Sequence, residues 1–377
     1  MEPGSLTLRG WKGFDAELPL WPVTFLVGPN GSGKSSLLES LALVSHLARR
    51  GTLREDLRPW LRGWPDGVFS RRGHEQPVGE ARIGLKWNRG SYTLTLRNPE
   101  SPSIWAEDLE VASRRYIWTE TSGGHRIRKF SGKGAGRALR ARDATESALG
   151  LYSLSPQRRQ RSAAMLDLMK GIEVYALDAD FLRGTAVDNR PIPYARKGPG
   201  LVSGLIDANR HPSIFHAIES AARAVQPDLD HIEVRTRPRG VLLKYHDGRE
   251  TQLDEESDGL VRALGMFLVR YRHDCPGILG FDEPENGFHL SRLIEVLARL
   301  APTASGRDDL PTPELLFLAT HSPDLIKKAA RVLGKRMGVI VLYRGADGMV
   351  QPTVWKGEEL TDQENISLLM AEGFEGR

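Results

Sequence analysis

The stretch that decides the fold runs Phe25-Leu-Val-Gly28-Pro-Asn-Gly-Ser-Gly33-Lys34-Ser35-Ser36. It fits the pattern Gly-x-x-x-x-Gly-Lys-Ser, which is typical of a phosphate-binding loop. The apolar run at residues 23–27 predicts a buried strand before the loop, and the apolar spacing of residues 37–47 predicts a helix after it. The pattern requires this order of strand, loop and helix, so we expect the loop to bind the phosphates of a nucleotide.

The composition of the loop explains why it can bind phosphate. Glycines at positions 28, 31 and 33 allow the backbone to turn tightly and to direct N–H groups at phosphate oxygens. The start of the following helix adds partial positive charge. Lys34 would neutralise the β- and γ-phosphates of ATP, and the Ser35 hydroxyl would be a ligand of Mg²⁺. The predicted nucleotide-binding residues of the loop are Gly28, Pro29, Asn30, Gly31, Ser32, Gly33, Lys34, Ser35 and Ser36.

The composition of the chain narrows the class of protein. A length of 377 residues with 40% hydrophobic residues is sufficient for one large domain or two modest ones. The single cysteine, Cys275, excludes an intramolecular disulfide and fits a reducing cytoplasm. No apolar run approaches the roughly 20 residues that a membrane span needs, and the N-terminus lacks a signal-peptide pattern. We therefore expect a cytoplasmic protein without a membrane partner.

The charge of the chain is small in sum but uneven along the sequence. The formal net charge is +4, yet residues 114–142 contain nine Lys or Arg residues and one acid, Glu120. Such a basic segment suits the phosphate backbone of a nucleic acid. A solvated, arginine-rich surface is the alternative, and the sequence leaves both interpretations open.

Two further segments carry chemistry in the C-terminal part of the chain. The run Ile278-Leu-Gly-Phe-Asp282-Glu283-Pro-Glu285 predicts a buried strand that ends in carboxylates. At the carboxyl edge of a parallel sheet, Asp282 would be a ligand of Mg²⁺, and Glu283 would orient and deprotonate a water molecule. Thr320-His321-Ser322 follows another apolar run, and His321 would donate to the γ-phosphate or to the attacking water. The predicted catalytic residues are Lys34, Glu283 and His321, and the predicted metal ligands are Ser35 and Asp282.

The order of the predicted elements indicates the fold class. Apolar strands alternate with helical patterns at both ends of the chain, which predicts an α/β fold with a mostly parallel sheet and helices on both of its faces. Residues 81–97 predict one β-hairpin, and residues 111–118 with 126–130 predict another that leads into a basic loop at 131–136. We also expect a helical region at 148–172 and a glycine-rich linker at 198–204.

Four motifs in this order resemble those of ABC-type ATPase heads of the SMC and RecF-like class and, more narrowly, the short AAA-family ATPases of bacteria. Residues 28–36 correspond to Walker A, residues 281–289 to Walker B, Ser257-Asp258-Gly259 to an abbreviated signature motif, and His321 to the switch histidine. The resemblance covers residues 5–47 and 250–343. It implies a single P-loop NTPase head over residues 1–377. Lobe one would comprise about 1–100 and 256–377 with the nucleotide site, and lobe two about 101–255 would be antiparallel and helical.

In heads of this class, two copies enclose two ATP molecules, so the resemblance implies a homodimer with shared ATP sites. Ser257 and Gly259 of one protomer would contact the nucleotide that the other protomer holds. Lys12, in the run Gly10-Trp11-Lys12, would touch the nucleotide of its own chain. Gln76 is the nearest candidate for the glutamine of the family's Q-loop. ATP with Mg²⁺ would close the dimer and hydrolysis would reopen it, which makes the nucleotide a switch.

The resemblance also implies a biological setting. The class includes overcoming-lysogenization-defect nucleases, which append a TOPRIM domain of about 100 residues. The sequence stops shortly after the predicted strand at 339–343, so we expect a separate chain to perform any cutting. We expect an ATPase of DNA maintenance or anti-phage defence that senses nucleic acid or controls an effector such as a nuclease. The alternative is a low-turnover, ATP-bound scaffold that holds an effector. A transporter subunit fits less well, because a Leu-Ser-Gly-Gly-Gln signature is missing.

Overall fold

The computed structural model describes residues 4–53, 57, 61–73, 76–88, 90–122, 125–130, 137–139, 145–154, 160–184, 197–198, 200–236, 239–302 and 310–373. The strands are β1 (Gly4–Trp11), β2 (Phe14–Leu20), β3 (Val23–Val27), β4 (Glu80–Trp87), β5 (Gly90–Arg97), β6 (Ser103–Val111), β7 (Arg114–Ser122), β8 (His125–Phe130), β9 (Arg137–Leu139), β10 (Ile172–Tyr175), β11 (Leu229–Thr236), β12 (Arg239–Tyr245), β13 (Glu250–Gln252), β14 (Ile278–Asp282), β15 (Leu315–Thr320), β16 (Met337–Arg344) and β17 (Val350–Lys356). The α-helices are α1 (Lys34–Arg50), α2 (Ala148–Leu154), α3 (Gln160–Lys170), α4 (Ala179–Arg183), α5 (Leu201–Ala208), α6 (Pro212–Val225), α7 (Asp258–Tyr271), α8 (Leu290–Leu300), α9 (Pro323–Leu333) and α10 (Gln363–Gly373).

Among the described residues, fourteen strands form one mixed sheet in the order β10-β14-β15-β3-β16-β17-β2-β1-β4-β5-β6-β7-β8-β9. The first five are parallel to one another. The rest pair antiparallel, except where β17 meets β2 in parallel at Val350 and Phe14. The predicted α/β class is confirmed, with a parallel core that continues into a large antiparallel half. Strands β11, β12 and β13 form a second, smaller sheet.

Strand β3 lies inside the parallel core, between β15 and β16, and its side chains are buried on both faces. Val23, Phe25 and Val27 are fully buried in the hydrophobic cluster that α5–α9 cover, whereas Leu26 is buried in the cluster that contains α1, α2 and α3. Each such side chain contributes about 1.5–3 kcal/mol relative to an exposed one. The prediction of helices on both faces is therefore confirmed. The division of the chain into two lobes stays a prediction, and β10, from the predicted second lobe, forms the edge of the parallel core.

Two predictions for the middle of the chain need correction. The second hairpin consists of β7 and β8, whereas Val111 ends the preceding strand β6, because Ala112 and Ser113 turn the chain with positive φ angles. The basic loop at 131–136 lies outside the described residues. The helical region at 148–172 contains two helices, α2 and α3, and Ile172 already begins strand β10, where it pairs with Ile278.

The predicted glycine-rich linker at 198–204 is wrong from residue 201 onward, because Leu201 begins helix α5. Leu201 and Leu205 are fully buried one turn apart, so the apolar spacing outweighs the glycines. A Cβ atom on Gly204 would lie 2.2 Å from Leu268 Cδ2 on α7. The glycine therefore allows α5 and α7 to approach closely. Among the described helices, none is both long and apolar enough to cross a bilayer.

Candidate nucleotide-binding site

The site lies at the carboxyl edge of the parallel strands, where β3, β14 and β15 end side by side. Val27 at the end of β3 pairs with Thr320 at the end of β15, and Asp282 at the end of β14 pairs with Ala319. Ligands of open α/β sheets bind outside this edge. The three predicted segments that follow these strands therefore meet at one place, as the sequence analysis expected.

The loop between β3 and α1 is shaped to receive an anion. Gly33 precedes α1 with a φ of 115°, and Gly28 has a φ of 148° with no room for a Cβ atom, which would lie 2.1 Å from Leu342 O. The first turn of α1 contains no acidic residue. The first amides of a helix have no acceptor within the helix, so those of α1 are available to phosphate oxygens.

Lys34 lies inside this loop rather than in solvent. Its Nζ donates to Gly28 O at 2.6 Å and to Pro29 O at 3.0 Å, and only 6% of the residue is exposed. Burial lowers the pKa of Lys34, and the negative charges of Asp282 and Glu283 oppose that decrease. A cation held in this way is poised to neutralise a bound phosphate.

The two predicted metal ligands lie next to each other. Ser35 Oγ donates to Asp282 Oδ2 at 2.8 Å. Burial raises the pKa of Asp282, while the hydrogen bond from Ser35 acts in the opposite direction. One hydroxyl and one carboxylate oxygen beside a phosphate-binding loop match the way proteins hold Mg²⁺, with water and phosphate as the remaining ligands. The donor set therefore fits a magnesium–nucleotide complex.

Glu283 follows Asp282 in an unusual backbone conformation. Its φ is 52°, in the left-handed region that non-glycine residues seldom adopt. The backbone N–H of Glu283 donates to Ala319 O at 2.8 Å, and Asn286 Nδ2 donates to Glu283 Oε2 at 3.0 Å. These bonds hold the carboxylate beside His321, whose Nδ1 is 3.9 Å from Glu283 Oε1. Backbone strain of this kind is often found at functional sites.

Glu285 is a further candidate residue of the site, and the sequence motifs assign it no role. Its Oε1 accepts from Thr320 Oγ1 at 2.6 Å and from the backbone N–H of His321 at 3.1 Å, and it lies 3.4 Å from His321 Nδ1. Only 13% of the Glu285 side chain is exposed. The carboxylate thus connects the Walker B loop to the histidine. The sequence feature that could have pointed to Glu285 is its position as the third acid in the run Asp282-Glu283-Pro-Glu285.

A cavity of about 670 Å³ lies against the phosphate-binding loop, Asp282 and Glu283, whereas the predicted residues Gly28, Pro29 and His321 are not part of its lining. It is lined by the predicted residues Asn30, Gly31, Ser32, Gly33, Lys34, Ser35, Ser36, Asp282 and Glu283, and also by Arg62, Ala176, Leu177, Asn286 and Arg344. Arg344 Nε donates to Gly31 O at 3.0 Å, at the tip of the loop. Arg344 is the last residue of β16, which is parallel to β3, so its end lies at the same edge of the sheet as the loop. A polar residue directly after the apolar run at 339–343 was therefore the sequence feature that could have predicted Arg344 at the site.

Lys12 does not line this cavity. Its ammonium donates to the fully buried carboxylate of Glu39 on α1 and to Arg62 O, and Arg62 Nε donates to the other oxygen of Glu39 at 2.8 Å. Lys12 lines an adjoining groove that Arg62, Phe69 and Arg344 share. A contact between Lys12 and a nucleotide therefore stays a prediction. Gln76 is exposed in a loop and does not line the cavity.

Ser257 and Gly259 also lie outside this cavity, at the start of α7. Ser257 is exposed, and a Cβ atom on Gly259 would lie 2.7 Å from Gly287 O in the Walker B loop. Arg262 on the next turn donates to Asn286 O at 3.0 Å. The start of α7 thus packs on the Walker B loop of its own chain, and neither Ser257 nor Gly259 lines the cavity at the phosphate-binding loop.

The fold and the site define a P-loop ATPase of the AAA and SMC-head type. Residues 23–327 match the family described as "AAA domain, putative AbiEii toxin, Type IV TA system". This match spans most of the chain, which therefore belongs to that family. The resemblance to SMC-type heads and to bacterial AAA-family ATPases is confirmed.

Solved structures and curated relatives agree with this class. The crystal structure of an SmcHead bound to the C-winged helix domain of ScpA is similar, with a TM-score of 0.58, 12% identity, and 93% of this chain and 97% of that chain covered. The Smc head domain of Pyrococcus furiosus, bound to the C-terminal domain of ScpA, gives a TM-score of 0.56, 11% identity, and coverage of 97% and 98%. At these identities the likeness shows the fold alone.

Sequence similarity to curated proteins is local. The chromosome partition protein Smc of Mycobacterium tuberculosis is 32% identical over 99 residues, which are 26% of this chain and 8% of that protein. Smc of Mycolicibacterium paratuberculosis is 29% identical over 126 residues, 33% of this chain and 9% of that protein. The chain thus matches less than a tenth of the length of these relatives.

Proposed function

We propose that this protein binds ATP with Mg²⁺, hydrolyses ATP, and uses the reaction as a switch that closes and reopens a homodimer. One observation carries the proposal: Lys34, Ser35, Asp282 and Glu283 all line one cavity at the carboxyl edge of the parallel sheet. A cation, two oxygen ligands for a metal and a carboxylate that can act as a base are the groups that phosphoryl transfer to water needs.

The predicted residues at the site would have separate tasks. Bound ATP would supply the phosphoryl group, and Mg²⁺ beside it would supply charge that neutralises its oxygens. The loop amides and Lys34 would hold the phosphates, and Ser35 with Asp282 would hold the metal. Glu283 would orient a water molecule and take its proton. His321, next to Glu283, would donate a hydrogen bond toward the same region.

The proposal assigns the second half of each ATP site to the partner protomer. Ser257 is exposed at the start of α7 and lies outside the cavity of its own chain. Gly259 brings the backbone of α7 close to the Walker B loop. Ser257 and Gly259 would therefore contact the nucleotide that a second copy holds, and each dimer would have two such sites. Dimers with twofold symmetry are the commonest assemblies of identical chains.

We further propose a role in anti-phage defence or DNA maintenance, in the cytoplasm. The family description, which mentions the AbiEii toxin and a Type IV TA system, supports defence. The two similar Smc heads are each bound to a domain of a partner protein, ScpA, which supports a separate effector for this chain. The basic segment at 114–142 supports contact with nucleic acid.

Light scattering tests the switch directly. We would measure the mass of the purified protein without nucleotide and with ATP and Mg²⁺, for wild type, Glu283→Gln and Lys34→Ala. The proposal requires a shift from monomer to dimer with ATP, a dimer that persists in Glu283→Gln because hydrolysis is blocked, and no shift in Lys34→Ala. A constant mass in all samples would overturn it and would favour an ATP-bound scaffold that holds an effector.

A charge-reversal experiment tests the nucleic-acid part. Changing Arg126, Arg128 and Lys129 to Glu should weaken binding to duplex DNA and reduce the salt dependence of the affinity, because each phosphate contact releases counterions. The matched control is the same reversal at Lys328, Arg331 and Lys335, which are exposed around the end of α9. Equal affinities for the two triple variants would remove the basic segment from the proposal.

A further inference from the structure

Helix α4 is held against α7, the helix that follows the signature motif. Asp178 caps α4 by accepting from the backbone N–H of Phe181 at 3.1 Å. Leu182 is fully buried, and a Cβ atom on Gly265 of α7 would lie 3.2 Å from Leu182 Cδ1. The glycine therefore leaves the space that Leu182 occupies. The last residue of α4, Arg183, is placed next to the start of α7 as a result.

Arg183 binds the residues on both sides of Ser257. Its Nη2 donates to Glu256 O at 2.6 Å and to Asp258 Oδ1 at 2.6 Å, and its Nη1 donates to Asp180 Oδ1 at 3.2 Å. Only 18% of the Arg183 side chain is exposed. A planar guanidinium can satisfy several acceptors in fixed directions, which a lysine ammonium cannot reproduce. The side chain thus clamps the signature segment immediately before and after its serine.

The hydroxyl of Ser257 is not used to cap its own helix. Serine in the position before a helix usually accepts a hydrogen bond from one of the first amides, yet Ser257 makes no such bond with α7. Its neighbour Glu256 accepts from the Tyr245 hydroxyl, which holds the segment from the other side. The flanking residues are therefore fixed, while the Ser257 side chain is exposed to solvent.

We propose that Arg183 is a positioning residue for Ser257: it orients the half of the ATP site that this chain contributes to its partner. The inference rests on the proposed function, because it requires an ATP site shared between two protomers. A competing role must be separated from it. Ala176 and Leu177, which precede α4, line the cavity of the same chain, so Arg183 could instead support its own nucleotide site through this segment.

Mixing two inactive variants distinguishes these roles. Arg183→Ala and Lys34→Ala are each expected to hydrolyse ATP more slowly than wild type. For Arg183→Ala we expect turnover to fall roughly tenfold to hundredfold, because a small misplacement of a group at the site has effects of that size. In a mixed dimer, the intact loop of the Arg183→Ala protomer meets the intact signature segment of the Lys34→Ala protomer. One of the two sites is then complete and can bind the ATP that holds the mixed dimer together, so a 1:1 mixture should recover a measurable fraction of wild-type turnover, about a quarter if the pairs form at random.

The same mixture made with Ser257→Ala in place of Arg183→Ala is the benchmark. Recovery in both mixtures supports the inference. Recovery with Ser257→Ala but not with Arg183→Ala overturns it and leaves the shared site intact. If neither mixture recovers turnover, the proposal of an ATP site shared between two protomers is overturned. The proposed role of Arg183 is then overturned as well. Arg183→Ala should still bind ATP like wild type, and Arg183→Lys provides a milder variant if the alanine protein does not fold. Arg210→Ala, which removes an exposed partner of Asp207, should leave turnover unchanged.

Discussion

The Glu285 carboxylate accepts a hydrogen bond from the Thr320 hydroxyl at 2.6 Å, although the two residues are 35 positions apart. The same oxygen accepts from the backbone N–H of His321. A single carboxylate, 13% exposed, therefore connects the Walker B loop to the end of β15, where His321 lies beside Glu283. We expect the alignment of the proposed catalytic pair to depend on this connection.

We expect Glu285→Ala to lower ATP turnover by about tenfold to hundredfold, the usual effect of removing a group that orients a catalytic residue. The affinity for ATP should stay close to that of wild type, because Glu285 does not line the cavity. Steady-state turnover and equilibrium nucleotide binding measure the two effects. Glu285→Gln, which keeps an acceptor for Thr320, should retain more activity than the alanine variant. A drop in affinity equal to the drop in turnover would contradict this role.

Glu39 is the centre of a buried charge network beneath the phosphate-binding loop. It is fully buried and accepts from Lys12 and Arg62. Removing one partner of a buried ion pair leaves the other charge without compensation, which costs about 3–5 kcal/mol. We expect Glu39→Ala to lower the free energy of unfolding in urea by an amount of this size. The double variant with Lys12→Met should recover part of the loss, and strictly additive losses would show that the pair does not interact.

Arg344 should contribute to nucleotide affinity through the tip of the loop. Its Nε donates to Gly31 O, and the side chain lines the cavity. A hydrogen bond to a charged group contributes about 1.5–3 kcal/mol, so Arg344→Ala should weaken ATP binding roughly tenfold to hundredfold. Calorimetric titration with Glu283→Gln as the parent avoids turnover during the measurement. Arg336→Ala, before the opposite end of β16, is the control, and equal affinities of both variants would contradict the assignment.

Cys275 should react slowly with alkylating reagents in the folded protein. Burial raises the pKa of the Cys275 thiol to about 11. Only the thiolate reacts, so the rate of labelling by iodoacetamide should rise about tenfold for each pH unit up to pH 10 and beyond. In urea the same cysteine, the only one in the chain, should reach half of its maximal rate near pH 8.5, the ordinary pKa of a thiol. A midpoint near pH 8.5 in the native protein would show that the thiol is exposed.

The parts of the site that the sequence predicted are those with a local pattern. The phosphate-binding loop is recognisable because its glycines, lysine and serine stand between a buried strand and a helix. Asp282 and His321 could be placed beside it because each follows an apolar strand, and parallel strands end at the same edge. The alternation of strands and helices also predicted the parallel core correctly.

The rest depends on contacts between segments far apart in the chain. Glu285 binds a residue 35 positions away and Arg183 binds one 75 positions away. No local sequence pattern predicts such pairs. The glycines at 198–204 predicted a linker because glycine is common in loops. Gly204 instead lies in helix α5, where the absence of a side chain leaves space for Leu268. The pattern at 148–172 predicted a helix through Ile172 because the four-residue strand Ile172–Tyr175, which contains Glu173, is too short to be distinguished from a helix end by its sequence. Packing decides these cases.

The position of β3 between β15 and β16 also has a consequence for the newborn chain. The phosphate-binding loop is synthesised first, but both neighbours of its strand belong to the C-terminal part of the protein. At typical rates of translation, roughly 15–60 s pass between the synthesis of β3 and that of β16. During much of this time β3 has been synthesised, but the strands that pair with it, β15 and β16, have not. A complete site therefore requires synthesis to have passed β16, and we expect nascent chains that lack β15 and β16 not to bind ATP.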